Sequence, residues 1–301
     1  MTDEVKKPST IPWLGIAHLG VVYLVWSSTY LAIRVAVRPG GGFPPFALAA
    51  LRCLLGFPVL LFWARLRGLR VRPTWAELRL LTVSGILLWT FGNAFVAVAE
   101  QRIDSALAAI LIASTPIWVT VLESIVDRRL PSILALAALV VGFAGTGLVG
   151  YPALRHGVRA DVMAVGLLLL ASLSWGGGSL LQRRRPIELD AMVSAAYQML
   201  AGGLGVLVLS LGFAEPLPSP GVSAWLGFAF LLVFGSIIAF TSFLRALHLL
   251  PTRVVFTYGY VNPVLATFLG WIILGETISG ASLAGAALVL VGVAGVFRAK
   301  H

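Results

Sequence analysis

Trp26-Ser27-Ser28-Thr29-Tyr30-Leu31-Ala32-Ile33-Arg34 has a fainter copy in Trp175-Gly176-Gly177-Gly178-Ser179-Leu180-Leu181-Gln182-Arg183. In both, a Trp precedes small or hydroxylated residues, with a Leu five places on and an Arg eight places on. Each copy lies in an apolar run too long for an ordinary globular helix, and further echoes follow in the same order. The chain therefore reads as two repeats of one membrane unit.

Composition sets the same bounds. Hydrophobic residues make up 59% of the 301, charged residues only 11%, and the mean hydropathy is +0.96, far from the mix of a soluble domain. A net charge of +10 raises the possibility of nucleic-acid binding, but the basic residues fall in short clusters between apolar runs and form no basic stripe. The single Cys53 excludes an intrachain disulfide and a cysteine metal cluster. Lys6 and Lys7 ahead of an apolar run resemble a secretory signal, yet Trp13 to Val37 is too long for a signal core and lacks a small-residue cleavage site. It is expected to be the first span.

A helix crossing a core of about 30 Å needs roughly 20 mostly apolar residues. Ten stretches qualify: 13–37, 44–63, 76–98, 104–124, 131–149, 161–181, 190–212, 223–248, 253–274 and 279–297. The expected fold is thus an all-α membrane protein of ten transmembrane helices. Orientation follows from the loop cations. With the N-terminus in the cytoplasm, fourteen fall inside (Lys6, Lys7, Arg65, Arg67, Arg70, Arg72, Arg128, Arg129, Arg183, Arg184, Arg185, Arg253, Arg298, Lys300) and four outside (Arg38, Arg102, Arg155, Arg159). Both termini are expected in the cytoplasm.

The repeat extends span by span. Ala49-Ala50-Leu51-Arg52 of helix 2 parallels Ala195-Ala196-Tyr197-Gln198 of helix 7, and Val83-Ser84-Gly85 of helix 3 parallels Val233-Phe234-Gly235 of helix 8. Ser114-Thr115-Pro116 of helix 4 parallels Val261-Asn262-Pro263 of helix 9, and Val141-Gly142-Phe143-Ala144-Gly145 of helix 5 parallels Val291-Gly292-Val293-Ala294-Gly295 of helix 10. Five spans per copy is odd, so the second copy enters the membrane upside down. The units are expected at 13–150 and 161–297, as two inverted five-helix repeats.

The chain resembles the drug/metabolite transporter superfamily, and within it the bacterial EamA-type ten-helix exporters. The likeness rests on Trp26-Ser27-Ser28-Thr29-Tyr30, Pro116, Asn262-Pro263-Val264, Leu274-Gly275-Glu276 and the glycine-rich helices 5 and 10, and covers nearly all of Trp13 to Phe297. It implies export by alternating access from the bacterial inner membrane, of small metabolites or amphipathic compounds, amino acids and aromatic ones among them. The first repeat departs from the second where Val126-Asp127-Arg128 stands near the place of Gly275-Glu276.

Transporters built from inverted repeats bind solute near the midplane at the repeat interface. The candidates at that depth are Trp26, Ser27, Tyr30, Trp89, Asn93, Ser114, Thr115, Trp175, Tyr258 and Asn262, with Trp26, Tyr30 and Ile33 sharing one helical face. Each also has a plain reading: the Trp residues as packing and the Asn residues as interhelical hydrogen bonders. Pro116 and Pro263 free carbonyls one turn earlier and suit a bending helix. Arg245 reads as structural, while Arg52 in helix 2 stays open between structure and function. Glu100, at the outer end of helix 3, is a candidate for gating or coupling. The remaining acids lie in loops or at helix ends, so a facilitator or exchanger is expected, with Glu100 the group that would overturn it.

An intramembrane enzyme would need a nucleophile and base or a metal set. His18, His156, His248 and His301 are scattered and no His-Glu-x-x-His occurs. A Gly-x-x-x-x-Gly-Lys loop for ATP is absent. A membrane scaffold is the remaining alternative. The expected partners are a small-molecule substrate and the lipid bilayer, without nucleic acid, cofactor or metal, and a monomer is a possible working unit.

Overall fold

The computed structural model describes residues 12–103, 105–155, 161–185, 187–274 and 278–299. The described residues are helical, without strands, and form ten antiparallel spans. These are α1 (Trp13–Ala36), α2 (Pro45–Leu66), α3 (Trp75–Ala99), α4 (Ser105–Ile112 and Thr115–Asp127), α5 (Ile133–Arg155), α6 (Val162–Arg184), α7 (Ala191–Gly212), α8 (Val222–Leu249), α9 (Thr252–Val255 and Tyr258–Leu274) and α10 (Gly280–Arg298). α1–α5 and α6–α10 are two five-helix halves in inverted order. The end where α1 begins and α10 finishes is called the near end below.

Local chemistry sets the helix starts. Pro45 opens α2, where its missing N–H costs nothing. Thr74 and Glu77 exchange side-chain and backbone bonds as a capping box on α3. Asp161, Asp190 and Ser279 accept the first free N–H groups of α6, α7 and α10. Outward-facing Leu24, Phe62, Val140, Leu170, Val208 and Ile272 are exposed. An apolar exterior of this kind, with backbone groups bonded inside helices, belongs to a lipid-facing bundle.

The halves meet in symmetric pairs: α2 lies along α7 and α5 along α10, while α1 packs on α8 and α9 as α6 packs on α3 and α4. The α5–α10 seam is close because it is glycine-lined. A Cβ on Gly292 would fall 2.6 Å from Gly142 N, so anything larger pushes the helices apart.

Two interruptions per half refine the expected continuous spans. α3 and α8 widen to π-helix at Ile86–Asn93 and Leu231–Ala239, equivalent places in the two repeats. α4 breaks at 113–114. Pro116 cannot donate to Ile112 O, and the Thr115 hydroxyl takes that carbonyl instead, at 2.6 Å. α9 breaks at 256–257, where Thr257 Oγ1 donates to Val254 O and meets Tyr23 Oη, both at 2.5 Å. Pro263 stays within its helix. Thr120 and Thr267 donate to the carbonyls of Pro116 and Pro263, at 2.8 and 2.9 Å, a repeat echo beyond those visible in the motifs.

Candidate functional site

Between the halves, Trp26 of α1 and Trp175 of α6 meet edge to face at 5.5 Å between ring centroids. Trp26 also contacts Tyr258 at 5.0 Å and Phe243 at 5.2 Å, and Trp89 contacts Phe240 at 5.0 Å. Phe243 and Phe256 continue the cluster toward the near end. The cluster draws on α1, α3, α6, α8 and α9. Trp175 leans on the π-helical turn of α3, because Gly92 has no side chain: a Cβ there would lie 2.9 Å from the indole.

Against this cluster lies a cavity of about 90 Å³. Its lining includes Trp26, Trp89, Asn93, Thr115, Trp175, Tyr258 and Asn262 from the sequence-derived set, joined by Thr29, Ile33, Arg52 and Ser172. Ile33 and Val96 each lie seven residues beyond Trp26 and Trp89, so the cavity runs roughly 10 Å from the aromatic cluster toward the far end. Its volume holds a few waters. Toward the near end the aromatics close it. A wider vestibule of about 700 Å³ opens at the near end, walled by Glu123, Asp127, Arg129, Arg183, Arg184 and Arg253.

Polar groups are fixed in the lining by the irregular helices. Trp26 Nε1 donates to Gly235 O at 3.3 Å, within the π-helical turn of α8. Arg52 is 4% exposed and donates to Ser236 Oγ from Nε (3.2 Å) and Nη2 (3.0 Å), and to Asn93 Oδ1 from Nη1 (3.4 Å). Its Cζ stands 5.7 Å from the centre of the Trp89 ring, in cation–π range. Buried Trp89 Nε1, Trp175 Nε1 and Asn262 Oδ1 have no protein partner.

Ser27 and Ser114 stand apart from this lining. Each is buried and donates to its own helix, Ser27 to Leu24 O at 2.9 Å and Ser114 to Leu111 O at 2.5 Å. The side chain of Tyr30 lies outside the described residues, and Thr29 lines the cavity on the face expected for it. Pro116 is buried where α4 meets Gly259 of α9, whose added Cβ would be 3.3 Å from the ring. Glu100 follows α3 at the far end, outside the cavity lining, with both carboxylate oxygens buried and unpartnered. Burial pushes its carboxyl up to about 8, against the opposing pull of Arg34. Arg245 pairs with Asp190 at 3.5 Å, as a structural role requires. Glu276 lies outside the described residues.

The model of the EamA-like transporter family matches residues 13–151 and 162–298. The chain belongs to the EamA-like transporter family. Among its relatives, the uncharacterized inner membrane transporter YedA of Escherichia coli K12 is 33% identical, covering 87% of this chain and 83% of its own length. The uncharacterized transporter sll0355 of Synechocystis is 24% identical over 90% of this chain and 86% of its own. A solved crystal structure, 24% identical, superposes with a TM-score of 0.78 over 94% of this chain and 96% of that one. This likeness shows that the two chains share a fold.

Proposed function

We propose that this EamA-like transporter exports small amphipathic metabolites, amino acids and aromatic amino acids among them, across the bacterial inner membrane by alternating access. The observation that carries the reading is the cavity at the repeat interface, walled by Trp26, Trp89, Trp175 and Tyr258 and dotted with a few fixed polar groups. Aromatic faces suit the apolar body of such a solute, and the polar groups orient it. In the transport cycle the α1–α8–α9 and α6–α3–α4 groups rock against the α2–α7 and α5–α10 seams. The interrupted turns of α3, α4, α8 and α9 take up the bending. Purified protein in vesicles preloaded with unlabelled phenylalanine should take up labelled phenylalanine by counterflow. Absence of protein-dependent flux across all the common amino acids would overturn the amino-acid reading.

Both termini are proposed to lie in the cytoplasm, which makes the near end cytoplasmic and the aromatic cluster the inner closure. Arg67→Cys, Arg129→Cys and Arg184→Cys should then react with an impermeant thiol reagent only from the cytoplasm, and Gly41→Cys only from outside. The native Cys53 is fully buried and adds little background. Labelling of positions 67 and 184 from opposite sides would contradict the inverted arrangement.

A further inference from the structure

Arg52 is a permanent charge within a span, and among the described residues it has no acidic partner. The four ion pairs among the described residues are Arg70–Glu77, Arg102–Asp161, Arg184–Asp127 and Arg245–Asp190, and none involves it. Its hydrogen-bond acceptors, Ser236 Oγ and Asn93 Oδ1, are neutral, and so is the Trp89 ring. No Asp or Glu among the described residues lines the cavity it faces. A buried cation is retained where something neutralises it, and an intramembrane arginine facing a cavity marks a solute path.

The guanidinium offers five N–H donors, and the observed bonds occupy one on Nε, one on Nη1 and one on Nη2. One N–H on each terminal nitrogen remains, enough to donate to a carboxylate. Around it stand two further donors without partners, Trp89 Nε1 and Trp175 Nε1. Asn262 Oδ1 is a neutral acceptor without a protein partner, and the hydroxyls of Thr29, Thr115 and Ser172, which donate to backbone carbonyls, keep neutral acceptor capacity. Among the described residues the lining therefore carries fixed positive charge, unpartnered donors and no negative charge.

We infer that Arg52 is the anchor for a carboxylate on the transported solute, and that the solute class is small carboxylates with an aromatic or apolar body. This rests on the central cavity being the solute site. The ammonium group of an amino acid is accommodated at Asn262 but is not required, so organic acids lacking it are also accepted. Organic cations are excluded, since they meet Arg52 with like charge and find no carboxylate.

Three probes that share one ring and chain test the inference on the wild-type protein purified in detergent: phenylalanine, 3-phenylpropanoate and 2-phenylethylamine. Binding is read by calorimetry and by the shift in thermal unfolding. The first two should bind, with the amine at least about tenfold weaker, the size of a lost charge-assisted contact. Arg52→Gln should bring the acid and the amine to within a few-fold of each other, and Arg52→Lys should restore part of the preference. Should both variants fail to fold, the wild-type series decides alone. Amine binding as tight as the acid's would overturn the carboxylate anchor and leave the cavity's role as a solute site intact. Failure of all three probes to bind, together with absence of counterflow, would overturn both readings. Chloride giving the same stabilisation alone and blocking the carboxylates would mark an inorganic-anion site and likewise overturn the inference.

Discussion

Trp26→Ala and Trp175→Ala should each lower counterflow by about tenfold to a hundredfold, the range for removing a central aromatic anchor, while folded protein persists in the membrane. The two rings, one from α1 and one from α6, meet and wall the cavity from both repeats. Each is only partly buried, so truncation exposes an existing cavity more than it opens a new one, and the stability loss stays below the ~3–5 kcal/mol of a fully packed Trp. Trp26 has a second task, since its Nε1 holds Gly235 O in the π-helical turn beside Arg52. Trp26→Phe keeps the ring wall and loses that bond, and should fall between wild type and Trp26→Ala. Trp63 is the control: it is 54% exposed on the outer surface, and Trp63→Ala should leave flux within about twofold, as surface changes remote from a site usually do. Flux is measured per unit of monodisperse protein. Equal loss of folded protein in the alanine variants at positions 26, 63 and 175 would assign the Trp residues to packing.

The spans were legible in the sequence because a bilayer imposes length and apolarity on each of them, and that signal is local. The span expected at 253–274 departs most from a continuous helix: its continuous part, Tyr258–Leu274, is short, and the rest is a separate turn before 256–257. The aromatic centre was legible because a Trp at span depth is out of place among interfacial aromatics. Hydroxyl residues were not. Ser27, Ser114 and Thr115 all bond carbonyls of their own helix, an option open to any Ser or Thr in a span. Only Thr115 also reaches the cavity, and helix rotation decided that. On α1 the stripes Trp26–Tyr30–Ile33 and Trp26–Thr29–Ile33 differ by one position on nearly the same face, too little for periodicity to separate. Arg52 stayed ambiguous because its fate depends on Ser236, 184 residues away, and on a π-helical turn that no proline announces.

Glu100→Gln should flatten the pH dependence of stability. In the unfolded chain this carboxyl titrates near 4.5, whereas in the folded protein burial raises it to about 8. Between those values the native state holds a proton that the unfolded state has lost, so wild-type stability falls as pH rises across the window, by up to about 1.4 kcal/mol per pH unit. Below pH 4.5 the contribution vanishes, because both states are protonated. Thermal unfolding of the purified protein at pH 5, 7 and 9 should show the wild type losing stability stepwise and Glu100→Gln losing less, with the variant the more stable at pH 9. Parallel pH profiles would show that the carboxyl is solvated in the working protein. The same variant tests coupling. Among the described residues the cavity lining has no Asp, Glu or His, which favours a carrier that lets solute run down its own gradient. Glu100 lies outside the lining at the far end, with Arg34 acting on it from α1, the helix that carries Trp26. A proton could enter the cycle there only if movement of α1 alternately buried and solvated the carboxyl. Phenylalanine flux into vesicles is therefore expected to reach equilibrium and no further, with or without an imposed pH gradient. Accumulation above equilibrium that follows the gradient and disappears in Glu100→Gln would replace the uncoupled carrier with a proton-coupled one, and would make Glu100 its coupling residue.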